Sequence, residues 1–154
     1  MDDRLRAALA VLHVGAAFVF VAGYVGTNVL TELGRRTVEP DRLRHLLELS
    51  DVFDARLSRG GGTVVALSGL VLVPAAGHRF DEPWIVASIV AYAAVVLLGI
   101  VYWGRRGRFV GAALRSGALG RVQALLVEPR SIVVSRFENA LVVTIVVLMV
   151  LRPA

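Results

Sequence analysis

Four apolar runs divide the chain: Leu5 to about Leu30, Thr63 to Gly77 with an extension to Phe80, Pro83 to Trp103, and Ser131 to Leu151. About 20 apolar residues are needed for a helix to cross ~30 Å of hydrocarbon. The pattern therefore predicts an all-α membrane protein, a four-transmembrane-helix up-down bundle with spans near 5–30, 63–80, 83–103 and 131–151. The first run is too long for a signal-peptide core and does not begin with a basic segment, so it is read as a retained span. Pro74 falls inside the second run, where a proline kinks the helix and frees a carbonyl. Trp84 opens the third run and Tyr102-Trp103 closes it, as interfacial aromatics do.

The segments between the runs carry their own pattern. Glu39-Pro40-Asp41 has the signature of a helix start. Behind it Leu43, Leu46, Leu47, Phe53 and Leu57 recur at helical spacing, with Arg42, Arg44, Glu48, Asp51 and Asp54 largely filling the remainder. This predicts an amphipathic helix over about 40–57, lying on the membrane surface or capping the bundle. A second, weaker one is predicted from Phe109 to Val127, where Gly111, Gly117 and Gly120 lower helix propensity. No repeat or low-complexity linker is visible, so residues 1–154 are read as one integral membrane domain.

Composition sharpens this picture. The chain has 154 residues, 56% of them hydrophobic, and no cysteine. That excludes disulfides, thiolate metal sites and a cysteine nucleophile. Lysine is absent, so all 17 basic residues are arginines. Together with abundant Ala, Val and Gly, this fits a GC-rich bacterial genome. The net charge of +5 could suggest nucleic acid. The arginines, however, lie beside apolar runs, so they are read as orienting the protein in a membrane, and no nucleic-acid partner is expected. The first connection holds Arg35, Arg36, Arg42, Arg44, Arg56 and Arg59. The third holds Arg105, Arg106, Arg108, Arg115, Arg121 and Arg130. The second has Arg79 alone, and the ends have Arg4, Arg6 and Arg152. Arginine excess marks the cytoplasmic side. The expectation is a multi-pass bacterial plasma-membrane protein with both termini non-cytoplasmic.

Polar residues inside the membrane are costly and are the first candidates for function. Here they are His13, Tyr24, Ser68, Tyr92, Glu138 and Asn139. His13, Tyr24, Thr27 and Thr31 share one face of the first span, while Gly15, Ala22 and Gly26 share the other. Counting from the run ends puts Tyr24, Ser68 and Glu138 in one layer, and His13, Tyr92 and Thr144 in another. Glu138 is expected to be protonated and to donate to Tyr24, Asn28 or Ser68. The bland reading of both His13 and Glu138 is structural hydrogen bonding, and it outweighs the functional one. His13 is the only mid-membrane histidine, which argues against bis-histidine haem and leaves a single-ligand site open.

Several segments resemble an uncharacterised bacterial family of predicted integral membrane proteins, domain of unknown function 2269. They are Leu12-His13-Val14-Gly15-Ala16, the Glu39-Pro40-Asp41 helix start, Asp81-Glu82-Pro83-Trp84, and the ending Val147-Leu148-Met149-Val150-Leu151-Arg152-Pro153. The first-span histidine is also similar to that of copper-resistance D membrane proteins. That likeness implies copper or haem handling, whereas the first family has no assigned activity to carry over.

No motif names a reaction. The chain is read as no enzyme, with no cofactor, acting as a structural or accessory membrane component. Its partners would be the lipid bilayer and other membrane proteins or itself. The alternatives are a metal, haem or redox carrier using His13, and a small transporter or proton pathway using Glu138.

Overall fold

A computed structural model describes residues 2–152, and all its regular elements are helices. Four helices are long and apolar enough to cross a membrane: α1 (Asp3–Arg36), α2 (Pro40–Ala75), α3 (Pro83–Arg115) and α5 (Pro129–Leu151). A short α4 (Leu119–Val127) precedes the last. Three proline-led starts share one logic. Pro40, Pro83 and Pro129 each follow a glutamate in extended or non-helical conformation. Proline is tolerated there because the first turn has no use for its missing N–H.

The long helices exceed the runs that predict them. At ~1.5 Å per residue α1, α2 and α3 are each about 50 Å long, roughly 20 Å more than a bilayer core requires. The predicted surface helix at 40–57 is not a separate element. It runs directly into the second span, as one helix from Pro40 to Ala75. The join is a turn of wider, π-type spacing at Asp54–Arg59, which absorbs one extra residue without breaking the rod. A similar turn at Leu98–Trp103 carries the third span on to Arg115.

Two predicted boundaries move. The second span ends at Ala75 rather than Phe80, because Gly77 takes a φ of 82°. His78 N–H then donates to the Val73 carbonyl and Gly77 N–H to that of Pro74, the Schellman closure that left-handed glycine permits. Pro74 thus sits in the last turn of α2. The predicted 109–127 helix is divided the same way by Gly117 (φ 69°), whose neighbour Ala118 donates to the Ala113 carbonyl.

The chain groups into two compact units, Met1–Phe80 and Asp81–Ala154. In the first, α1 and α2 form an antiparallel hairpin along their whole length. His13 meets Ser68, Phe20 meets Gly61, Gly23 meets Ser58, and Thr31 meets Ser50. Leu43 and Leu47, from the amphipathic stretch, are buried in this unit. Glu32 lies just beyond the first apolar run, where hydrogen bonds from Arg35 and then Arg36 hold its carboxyl below the usual range. In the second unit α3 packs on α5; Trp84, Ile85, Ser88, Ala91 and Val95 are buried on the first helix, and Ser131, Glu138 and Val142 on the second. Ala113, Val122 and Leu126 close the α3–α4 end.

Candidate intramembrane polar sites

In the first unit the histidine and serine come together. His13 Nδ1 lies 3.0 Å from Ser68 Oγ, and the ring rests over Gly69, whose missing side chain leaves room for it. Ser68 Oγ is also 2.5 Å from the Val64 carbonyl and 3.2 Å from that of Val65. A serine hydroxyl has one proton, and a backbone carbonyl can only accept. The hydroxyl proton is therefore committed to its own helix, and His13 Nδ1–H must be the donor to Ser68. That assigns the tautomer and leaves the lone pair on Nε2.

Ser68 consequently belongs to the His13 layer, not to that of Tyr24. Depth counted from the ends of the apolar run misplaced it, because α2 has no end at the start of its apolar run. Tyr24 lies eleven residues along α1 from His13, about 16 Å by helix rise. Its ring packs on Phe20 at 6.2 Å, and its carbonyl accepts from Asn28 Nδ2 at 2.9 Å.

In the second unit Glu138 is buried, at 7% exposure. The Trp103 indole N–H donates to its Oε2 at 2.7 Å. The expected partners of the carboxyl did not include this residue, which reads in the sequence only as an interfacial anchor. Next to it, Tyr102 Oη is 2.8 Å from Ser131 Oγ. The two rings stand edge to face at 5.0 Å. They reach positions on α5 seven residues apart, about 10 Å, and both lie in the wide turn of α3. Arg106, one turn on, stacks over Tyr102 at 5.9 Å and pairs with Glu128 at 2.6 Å. Tyr102, Trp103, Arg106, Glu128, Ser131 and Glu138 thus make one polar cluster running from the α3–α4 end into the span. Tyr92 is eleven residues from Trp103 along α3 and stands outside the cluster. Asn139 is half-buried beside Glu138.

The signal for the cluster was partly present. Ser131, Ser135 and Glu138 share a face of the fourth span, and Tyr102 and Arg106 are one turn apart. Nothing in the spacing says that the two faces meet. Among the described residues no group of three or more His, Asp or Glu side chains converges as a metal site would.

No curated protein and no solved structure matches this chain. Nor do the comparisons carry the likeness to copper-resistance D proteins. Residues 7–153 match the family described as predicted integral membrane protein (DUF2269), which spans all four apolar helices, the His13–Ser68 contact and the Glu138 cluster. The chain belongs to that family of integral membrane proteins.

Proposed function

We propose that this protein is a non-enzymatic structural or accessory component of a bacterial plasma membrane, its intramembrane polar groups serving to join helices. One observation supports the reading above others: Glu138, a buried carboxyl in the last span, takes a short hydrogen bond from Trp103 across α3 and α5. An indole has one donor and no acceptor, so this bond joins the two helices without itself passing a proton on. The arginine distribution supports an orientation with both termini outside. Reporter fusions at Arg59 and Arg115 should then read cytoplasmic, and one at Asp81 external; a cytoplasmic signal at Asp81 overturns it.

The joining role is tested with Glu138→Gln and Glu138→Leu. Glutamine keeps the shape and an acceptor, so the variant should fold and melt like the parent. If it folds normally yet abolishes a proton flux measured in reconstituted vesicles, the role is transport and the structural reading fails.

A second reading has one observation behind it. The His13 network leaves Nε2 with its lone pair, the atom through which an imidazole takes a proton or a metal. Optical spectra and metal analysis of protein from native membranes should show a signal that His13→Ala removes. Absence of any signal ends that reading.

A further inference from the structure

The whole net charge of the protein resides in one stretch. Residues 104–130 hold six arginines and one glutamate, a net +5, which equals the value for the complete chain. Everything else sums to zero. The arginine-bearing end of the first unit, Glu32 to Arg59, also has six arginines, but six acids accompany them. There Arg35, Arg36 and Arg59 are engaged with Glu32 and Asp54. Among the described residues of the second unit, Arg106 is the one arginine with a carboxylate, Glu128. Arg105, Arg108 and Arg115 fall within an arc of about 80° on α3 at 100° per residue, away from buried Ala113. They make no ion pair among the described residues.

Orientation alone does not require this imbalance. Acids contribute little to the positive-inside effect, so the balanced end of the first unit would orient the chain as well as the unbalanced one. An uncompensated basic face calls for an anionic counterpart. Its setting identifies which: the face continues straight from an apolar span through Tyr102 and Trp103, aromatics of the kind that sit at headgroup level. Large apolar side chains stand among the arginines, with Phe109 62% and Val127 50% exposed. Basic and apolar groups interleaved at the end of a span match an anionic lipid interface better than they match an acidic soluble protein. We infer that the Arg105–Arg108–Arg115 face of α3 binds the headgroups of anionic phospholipids and gathers them around the second unit.

The test uses the full chain reconstituted in phosphatidylcholine vesicles with trace spin-labelled phosphatidylglycerol or phosphatidylcholine. The fraction of motionally restricted label gives the relative association. Phosphatidylglycerol should be preferred by about fivefold at sites beside the arginines. The preference should fall towards parity at ~0.5 M sodium chloride as the charges are screened. Arg105→Gln/Arg108→Gln/Arg115→Gln should lose most of it, while Arg36→Gln/Arg44→Gln, in the balanced end, should keep it. Equal melting temperatures confirm that the variants fold; the salt series on the unaltered chain stands without them. A ratio near one for the unaltered chain overturns the inference, as does full preference in the triple variant. If inorganic phosphate erases the preference where chloride at equal ionic strength does not, the site takes free anions and the lipid assignment is wrong.

Discussion

The two helix hairpins of this protein are held together by opposite means. In the first, backbones touch. A Cβ added at Gly23 would lie 2.5 Å from Leu57 Cβ and 2.6 Å from Ser58 N; one at Gly61 would lie 2.8 Å from Phe20 N. A Cβ at Gly26 would run into the Phe53 ring. In the second, no glycine plays this part: Gly99 has nothing within 4 Å of an added Cβ. Large polar side chains bridge α3 and α5 instead, through Trp103–Glu138 and Tyr102–Ser131. Lipid tails are as apolar as the helices, so burial of apolar surface does not drive association in a membrane. Close van der Waals packing and interhelical hydrogen bonds are two devices that remain to the side chains, and each hairpin relies mainly on one.

This comparison breaks most sharply at the glycines. Gly61→Leu puts a side chain where the α1 backbone stands and should unfold the first hairpin. Gly61→Ala and Gly23→Ala should each cost about 1–3 kcal/mol, the range for overpacking. The same change at Gly99 fills open space in a helix and should be neutral or stabilise by up to ~1 kcal/mol. Thermal unfolding of the three alanine variants in one detergent measures the difference. Equal losses at Gly61 and Gly99 would show that close approach is not what holds α1 to α2.

The second hairpin should break at Glu138. Glu138→Leu leaves the Trp103 N–H without that acceptor and should cost about 1–3 kcal/mol. Trp103→Phe removes the donor and a similar amount. A double-mutant cycle on the pair should give a coupling of roughly 0.6–1.7 kcal/mol, the span found for membrane hydrogen bonds. Coupling near zero would mean that each residue acts through packing alone.

How much of this was legible differs between the hairpins too. The four spans follow from run length and aromatic ends, because hydrocarbon thickness leaves few alternatives. The helix start at Pro40 was legible for the same local reason, proline at the first turn. That α2 continues through Asp54–Arg59 was not. A run of charges reads as an interruption of the span, and a chain position does not say that α1 extends far enough to pack beside it. The face shared by His13, Tyr24, Thr27 and Thr31 was visible from periodicity, since α1 is a single regular helix. The pairing of Glu138 with Trp103 was hidden by contrast. It depends on which helix faces which and on a wide turn that presents adjacent aromatics to one partner. Gly23 and Gly61 show the same limit: a glycine in a span is visible, but its neighbour is not.

The smallest expected loss lies at one of the polar bridges inside the glycine-packed hairpin. His13 Nδ1 and Ser68 Oγ are 3.0 Å apart, yet the same hydroxyl is tied to the Val64 carbonyl. Ser68→Ala removes the acceptor for His13 and the back-bonded hydroxyl together. Alanine is the better helix former, which offsets part of the loss. The net cost should be about 0.5–1.5 kcal/mol, the worth of one ordinary hydrogen bond. Stability alone would not reveal the geometry, so the tautomer is the better readout. Nitrogen-15 spectra of the histidine-labelled protein should show Nδ1 protonated and Nε2 as the bare nitrogen, and Ser68→Ala should weaken that preference. An Nε2–H tautomer in the unaltered chain would reverse the bond: Ser68 would then donate to the imidazole, the Val64 contact would lose its proton, and the lone pair on which the carrier reading rests would no longer be free.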